Sequence, residues 1–289
     1  MDSWERGVAD GVDLAYIGAQ YDFDANSKWL DDDSPGNGAS FGNMESTVVV
    51  GNTKDYPALH GKAIKSAGFS FDSASDEAIS SGFIDLENYK IMDIIYGEQK
   101  ATPWPKDNGK DARFRVFPKS FMTSVKDFTK GGGHVLLSGA YVGTDILGDT
   151  TKMNFAKNVL KYRWRTDHAS KGGAVYSINT MLFGNNNKYD FETGFSPRIY
   201  GTENPDGIEP AKGSSALTVL RYQENNISAG VAYKGEDYKT FIMGFPFECI
   251  QSEFERNALM KRILAFFEND IDIYQELYKD GRKKSSNNK

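Results

Sequence analysis

The sequence predicts an α/β domain with a doubly wound, mostly parallel sheet and an antiparallel extension near its carboxyl end. Three observations favour this fold class. Short apolar runs alternate with amphipathic segments over residues 47–160, and glycine or proline stands at most of their boundaries. Three more short apolar runs follow closely on one another over residues 216–245. Alternating strands and helices are typical of a parallel sheet covered by helices.

The first half of the domain contains three predicted pairs of a strand and a helix. The strands are short, apolar and end at glycine, as buried parallel strands do: Val48–Val50, Ile91–Tyr96 and His134–Ser138. The helices are bounded by N-cap, proline and glycine signals: one from Asp55 to Gly68, one from Pro118 to Gly131, and one over Met153–Tyr162. A long loop with Trp104 separates the second strand from the second helix, and loops of that length usually serve a function.

The second half is predicted to be richer in strands. Their short connections favour antiparallel pairing, and the predicted strands are Ala174–Ile178, Ala216–Tyr222, Gly230–Tyr233 and Thr240–Phe245. The capping box Ser252–Glu255 begins the last helix. Its predicted apolar face consists of Phe254, Leu259, Ile263 and Phe266.

Three segments of different composition indicate the domain organisation. Residues 1–45 are rich in Gly, Asp and Ser, and are predicted to be an irregular flap on the domain of residues 46–270. Residues 271–289 are predicted to be a C-terminal extension with a disordered tail. Within the flap, Asp31–Asp33 is either a solvated turn or a calcium site, although the spacing of an EF-hand loop is absent.

Composition excludes several classes of protein. The chain of 289 residues has 34 Lys and Arg against 40 Asp and Glu, so its net charge of −6 is unfavourable for nucleic-acid binding. No apolar run is long enough to cross a membrane. The single cysteine, Cys249, excludes an internal disulfide. The first residues have no signal-peptide pattern, which fits a cytoplasmic protein or a piece of a longer secreted chain.

The candidate site follows from the predicted sheet, because ligands bind at the carboxyl ends of parallel strands. Four residues are candidates for catalysis: His60, Glu98, Tyr141 and Glu248. Six residues are candidates for ligand binding: Asn52, Gln99, Trp104, Ser138, Gly139 and Ala140.

Each candidate also has a plainer structural interpretation. Glu98 and Glu248 form either a glycosidase-like carboxylate pair or two acids satisfied by neighbouring groups. His60 either faces the crevice as a base or has no catalytic role. Three histidines at positions 60, 134 and 168 lack the spacing of metal ligands, so no metal or other cofactor is predicted. Five aromatic side chains could either stack on sugars in a cleft or pack in the core: Trp29, Trp104, Tyr141, Tyr162 and Trp164.

Two segments resemble the class I glutamine amidotransferase-like superfamily. Gly131–Gly143 is similar to the strand and G-x-C-x-G turn that present its nucleophile, and Gly244–Glu248 is similar to its closing G-x-x-F-H-P-E segment. The resemblance covers residues 46–268 and implies a flavodoxin-like fold. Tyr141 stands at the position of the cysteine and Glu248 at that of the histidine. A tyrosine without an adjacent base is a poor nucleophile, so glutaminase activity is not expected.

A second resemblance covers nearly the whole chain and concerns the carboxy-terminal region of large secreted bacterial proteins labelled xanthan-lyase-like. It rests on the segments Ile17–Asp24, Asp32–Gly36, Gly51–Thr53, Asp55–Pro57, His60–Gly61 and Tyr96–Lys100. The resemblance implies a periplasmic or extracellular domain cut from a longer parent chain. The expected partners are then the other domains of the parent chain and a glycan or another component of the cell envelope.

Three functions stay open at this point. The leading hypothesis is an amidotransferase-like module without the Cys-His machinery, which binds or supports part of a secreted, polysaccharide-associated bacterial protein. The second is a carbohydrate-active lyase or hydrolase with Tyr141 or His60 as base and Arg113, Arg115 or Lys100 opposite a sugar carboxylate. The third is a protein-interaction module.

Overall fold

The structure is a computed structural model, and it describes residues 56–103, 112–113, 115–178, 186–194 and 199–269. The helices in these ranges are α1 (Tyr56–Ser66), α2 (Asp76–Ser80), α3 (Lys119–Lys130), α4 (Thr150–Phe155) and α5 (Glu253–Glu268). The strands are β1 (Ile91–Gly97), β2 (Thr102–Pro103), β3 (Ala112–Arg113), β4 (His134–Gly139), β5 (Tyr162–Thr166), β6 (Ala174–Ser177), β7 (Lys188–Asp190), β8 (Gly207–Pro210), β9 (Leu217–Tyr222), β10 (Ser228–Lys234) and β11 (Lys239–Met243). The predicted strand Val48–Val50, the flap, Asn52 and Trp104 lie outside the described residues.

Seven of the described strands form one mixed sheet in the order β1-β4-β11-β10-β9-β6-β7. β4 pairs in parallel with β1 on one side and with β11 on the other. The remaining four pairings, from β11 across to β7, are antiparallel. The prediction of a doubly wound, mostly parallel, flavodoxin-like sheet is therefore wrong, although α/β composition and the later antiparallel strands are confirmed.

The short connections of the second half explain this correction. Residues 223–227 join β9 to β10, and residues 235–238 join β10 to β11. A connection of four or five residues forms a hairpin, whereas a parallel neighbour requires a crossover of a dozen residues or more. Among the described strands, parallel pairing is therefore confined to β1, β4 and β11. Their carboxyl ends lie at one edge of the sheet, near Gly97, Gly139 and Met243.

Helices cover both faces of the sheet. On one face, Ala63 of α1 and Ile263 of α5 belong to the same buried cluster as Leu136 of β4. On the other face, Val125 of α3 is buried in a cluster with Val135 of β4. No helix in the described ranges combines the length and the apolar character that a membrane span requires.

Two helix predictions needed local correction. The segment predicted as a helix over Met153–Tyr162 consists of α4 and a π-helical turn over Ala156–Leu160, after which Tyr162 begins β5. Lys161 adopts a left-handed conformation with φ 67° and so ends the turn. Phe254, predicted on the apolar face of α5, is 70% exposed. Five residues separate it from Leu259, which rotates it by about 140° away from that face.

Candidate functional site

A buried histidine lies between two carboxylates on the face of the sheet that α1 covers. His60 on α1 contacts Asp93 on β1, with 2.7 Å between Nδ1 and Oδ2. On its other side, its Nε2 lies 3.3 Å from Oε2 of Glu248, in the 3₁₀ turn Phe247–Cys249. The ring of Phe247 packs against the imidazole with 4.7 Å between ring centroids. Both His60 and Glu248 are only 1% exposed.

The two carboxylates determine the protonation state of this histidine. Burial alone lowers the pKa of His60, but the Coulombic attraction of Asp93 and the hydrogen bonds to Asp93 and Glu248 outweigh it, and the pKa rises to about 10. His60 is therefore an imidazolium at neutral pH, in which both ring nitrogens donate. A cation of that kind cannot take a proton from a substrate near pH 7, so its predicted role as a base is unsupported.

The second oxygen of Glu248 is also committed. Tyr200 donates its hydroxyl to Glu248 Oε1 at 2.7 Å, and its own ring packs edge-on against Tyr56 at 5.0 Å. Gly97 ends β1 beside this pair with φ +54°. A Cβ at that position would lie 2.9 Å from the Tyr200 hydroxyl oxygen and 3.3 Å from Glu248 Oε1, so only glycine fits here.

Tyr141 forms a second polar cluster at the carboxyl ends of β1 and β4. Its hydroxyl oxygen accepts hydrogen bonds from Lys100 Nζ at 3.1 Å and from Asn204 Nδ2 at 3.3 Å. The Lys100 ammonium also lies 4.4 Å from the centre of the ring. Burial, followed by the negative charge of Glu98, raises the pKa of the phenol, which therefore stays neutral. Glu98 itself accepts from the backbone amide of Glu203 at 3.2 Å.

The turn after β4 differs from a nucleophile elbow. It leads into a 3₁₀ turn over Thr144–Ile146 instead of an α-helix, and Tyr141 is not among the residues with positive φ. The backbone amides that would hold an anion are occupied by the buried carboxylate of Asp206. This carboxylate accepts from Gly143 N at 2.6 Å, from Thr144 N at 2.8 Å and from Thr144 Oγ1 at 2.5 Å.

Asp206 fixes the turn but remains costly to ionise. Burial is the dominant influence and raises the pKa of Asp206 to about 7, although the hydrogen bonds from Thr144 and Gly143 lower it. Trp164 donates its indole N–H to Thr144 Oγ1 at 3.2 Å and so supports the same turn. The protein therefore supplies its own carboxylate to the backbone amides of this turn.

The four predicted catalytic residues fall into two adjoining pairs. His60 contacts Glu248, and Tyr141 interacts with Glu98. Gly97 lies between the two pairs. It precedes Glu98 in the chain, and its Cα faces the hydrogen-bonded side chains of Tyr200 and Glu248. The predicted carboxylate pair is therefore divided between a closed buried network and a half-buried cluster at the strand ends.

The predicted ligand-binding residues have more varied roles. Gln99 donates to the carbonyl of Arg115 at 3.2 Å, and the amide of Ala140 donates to the carbonyl of Gly97 at 2.8 Å. Gly139 allows β4 to lie close to Tyr96. Ser138 is fully buried, and its hydroxyl has no hydrogen-bond partner among the described residues. Among all the residues that the structure describes, no group of His, Cys, Asp and Glu is arranged to hold a metal ion.

Sequence reasoning missed Asp93, Tyr200, Asn204 and Asp206. Asp93 had a detectable signal, because it is the single charged residue within the apolar strand Ile91–Tyr96. The other three lie in the irregular region 163–215, where neither spacing nor a motif indicates their partners.

Comparisons with known proteins give no family for this chain. No family model matches it, and no curated protein matches it at the significance required. Solved structures with a similar shape include a cold-adapted β-galactosidase from Rahnella sp. R3, with 12% identity over 71% of this chain and a TM-score of 0.46. An exo-β-1,4-mannosidase from an Opitutaceae bacterium has 9% identity over 77% and a TM-score of 0.45. A cytoplasmic protein from Salmonella typhimurium LT2 has 11% identity over 73% and a TM-score of 0.48.

These proteins differ in the share of their length that this chain covers. The chain covers 26% of the β-galactosidase and 31% of the mannosidase, but 86% of the Salmonella protein. Some structural neighbours are therefore glycoside hydrolases that are several times longer than the matched region. Similarities at this level transfer no activity, because one fold serves many functions.

Proposed function

We propose that this chain is a non-catalytic glycan-binding module, and that its ligand site is the cluster of Glu98, Lys100, Tyr141 and Asn204 at the ends of β1 and β4. The observation that carries the proposal is the state of Glu248. Both of its oxygens are hydrogen-bonded and the residue is 1% exposed, so it has no free oxygen for a substrate. Hydrolysis with two carboxylates needs both of them beside the scissile bond.

The groups of the cluster suit sugar hydroxyls. Glu98, Lys100 and Asn204 are half-buried and provide a carboxylate, an ammonium group and a side-chain amide around one phenol ring. Tyr141 itself is only 5% exposed, so a ligand would be held by the polar groups around the phenol and would not stack on its ring. A few polar groups of this kind fix the orientation of a bound ligand. The neutral phenol neither attacks nor deprotonates a substrate at pH 7, which also favours binding over catalysis.

The charges near the phenol favour a neutral glycan over an acidic one. The negative charges of Glu98 and Glu203 both raise the pKa of Tyr141, whereas the cation hydrogen-bonded to its hydroxyl is Lys100. A lyase site would need an excess of positive charge to neutralise a uronate carboxylate. We therefore expect cellohexaose or mannohexaose to bind more tightly than a hexuronate of equal length.

Isothermal titration calorimetry of the full chain with these three oligosaccharides tests the proposal. Tyr141→Phe keeps the ring and removes the acceptor of two hydrogen bonds, so affinity should fall about tenfold while stability changes by about 1 kcal/mol or less. Tyr176→Phe is the matched control, because it removes an exposed tyrosine hydroxyl that donates to Asn226 Oδ1 at 2.6 Å and does not belong to the cluster. It should leave affinity unchanged.

Two results would contradict this function. The first is that none of the three oligosaccharides binds at millimolar concentration. The second is turnover, detected as new reducing ends or as unsaturated uronate absorbance, that is lost in Glu248→Gln. That outcome would favour the carbohydrate-active enzyme over the binding module.

A further inference from the structure

Among the described strands, β1 is an edge strand of the large sheet. It pairs with β4 on one side, where the carbonyl of Lys90, just before β1, accepts from His134 N at 2.8 Å. Backbone groups alternate in direction along a strand, so Ile94 also bonds toward β4, while the N–H and C=O groups of Asp93 and Ile95 point away from it. No other strand in the described part of the chain pairs with this outer side of β1.

A cavity of about 410 Å³ lies on the outer side of β1. Residues 91–96 and the segment 69–75 line it, whereas β4 contributes nothing to its described wall. The cavity reaches both faces of the sheet, because Ile64 from the α1 face and Phe121 from the α3 face both line it. A water molecule occupies only about 30 Å³, and voids much larger than that are rare in protein interiors. The edge therefore has room for a further segment of chain.

The segment Thr47–Gly51, which lies outside the described residues, has the composition of a strand that suits this space. Val48, Val49 and Val50 are three consecutive β-branched residues, and such residues favour strands. Successive side chains of a strand point to opposite faces of the sheet. An uninterrupted apolar run therefore suits a strand that is buried on both faces, which is what a cavity open to both faces requires.

The start of α1 determines the direction of such a strand. Tyr56 begins α1 and packs its ring 5.0 Å from the ring of Tyr200, whose hydroxyl lies beside Gly97 at the end of β1. Residues 52–55 join Gly51 to α1 and span at most about 14 Å. The opposite end of β1 is about 20 Å away, at about 3.3 Å per residue. A strand that ends at Gly51 therefore ends beside the carboxyl end of β1, and the two run parallel.

We propose that the segment Thr47–Gly51 binds the outer side of β1 as a parallel strand and that its valine side chains fill the cavity. Its backbone then donates to and accepts from Asp93 and Ile95, which protects an apolar edge that would otherwise pair with another chain. The short tether to α1 gives the segment an effective concentration on the order of millimolar. It therefore outcompetes a strand from a second copy at ordinary protein concentrations.

Hydrogen exchange of the ¹⁵N-labelled full chain tests this proposal. The backbone amides of Asp93 and Ile95 should exchange as slowly as that of Ile94, and at least tenfold more slowly than that of the exposed Ala74. Nuclear Overhauser effects should connect the two amides with the α protons of residues 48–50, in the same order along both strands. Neither result should depend on protein concentration.

Proline variants link the protection to the segment. Two adjacent residues of a strand direct their N–H groups to opposite sides, so one of Val48→Pro and Val49→Pro removes a donor to β1. At least one of them should speed exchange at Asp93 and Ile95 tenfold or more. Val8→Pro is the matched control, because it makes the same substitution outside the segment. It should leave exchange at both amides unchanged.

Exchange at Asp93 and Ile95 as fast as at Ala74 would overturn the proposal, as would protection that both proline variants preserve. Protection that increases with protein concentration would assign the edge to a second copy and overturn it too. If the proline variants do not fold, the Overhauser effects of the unsubstituted chain decide. Contacts of the two amides with residues 69–75 instead of 48–50, or contacts in reversed order, would contradict the parallel strand.

Discussion

Raising the pH should remove a large part of the stability that His60 contributes. The pKa of His60 is about 10 in the folded protein, against 6.5 for a free histidine. Because the folded-state value is raised, the stabilising contribution is complete below pH 6.5 and is lost as the pH rises through 10. That difference corresponds to about 5 kcal/mol as an upper limit, which is comparable with the total stability of many domains.

Urea unfolding at pH 6, 8, 9.5 and 10.5, followed by tryptophan fluorescence, measures this loss. His60→Asn is the matched variant, because it keeps a donor toward Asp93 but cannot titrate. Both proteins retain Lys239, whose pKa burial lowers to about 8, so the difference between their curves isolates His60. The gap in free energy of unfolding should shrink steadily between pH 6.5 and 10.

NMR spectra of the imidazole rings give an independent measurement. The chain has only three histidines, so each ring can be assigned from single substitutions. His60 should remain protonated at pH 8.5, whereas burial lowers the pKa of His134 below 6.5. A His60 ring that loses its proton near pH 6.5, or a gap in stability that is constant with pH, would refute the network of Asp93, His60 and Glu248.

Four other substitutions have defined outcomes. The pKa of Asp206 is raised to about 7, so the folded state binds that proton more tightly and stability should fall as the pH rises from about 4 to 7. Asp206→Asn should remove this fall, and ¹³C titration of the carboxyl group in the unsubstituted protein checks the pKa. Tyr222→Phe removes the donor to the carbonyls of Asp206 and Gly244 and should cost about 1–2 kcal/mol in urea unfolding. Ser252→Ala removes the N-cap of α5 and should cost about 1 kcal/mol in the same assay. Phe254→Ser should change stability by about 0.5 kcal/mol or less, because Phe254 is exposed.

Local signals in the sequence predicted individual elements better than their arrangement. The run Ile91–Tyr96 and the glycine after it were sufficient for β1, because a strand covered by helices is rich in apolar residues. The same signals say nothing about which neighbour a strand pairs with. The direction of β10 and β11 depends on the hairpins at 223–227 and 235–238. In the sheet, the four antiparallel pairs outnumber the two parallel pairs.

The site was predictable only as far as chain position determines it. The edge that carries Glu98 and Tyr141 followed from the ends of two strands, and the structure places both there. The partners of Glu248 did not follow, because Tyr200 comes from an irregular segment 48 residues away. Asp206 reaches Gly143 across 63 residues. Long-range polar contacts of this kind depend on tertiary packing and have no local pattern.

The most direct test of the proposed glycan site is a chemical-shift map of the ¹⁵N-labelled full chain titrated with cellohexaose or mannohexaose. Binding at the strand ends should shift the backbone amides of residues 97–100, 139–142 and 203–205, and should leave those of residues 235–238, in the hairpin between β10 and β11, unchanged. Shifts that centre on the hairpin, or a spectrum that does not change at saturating sugar, would contradict the account.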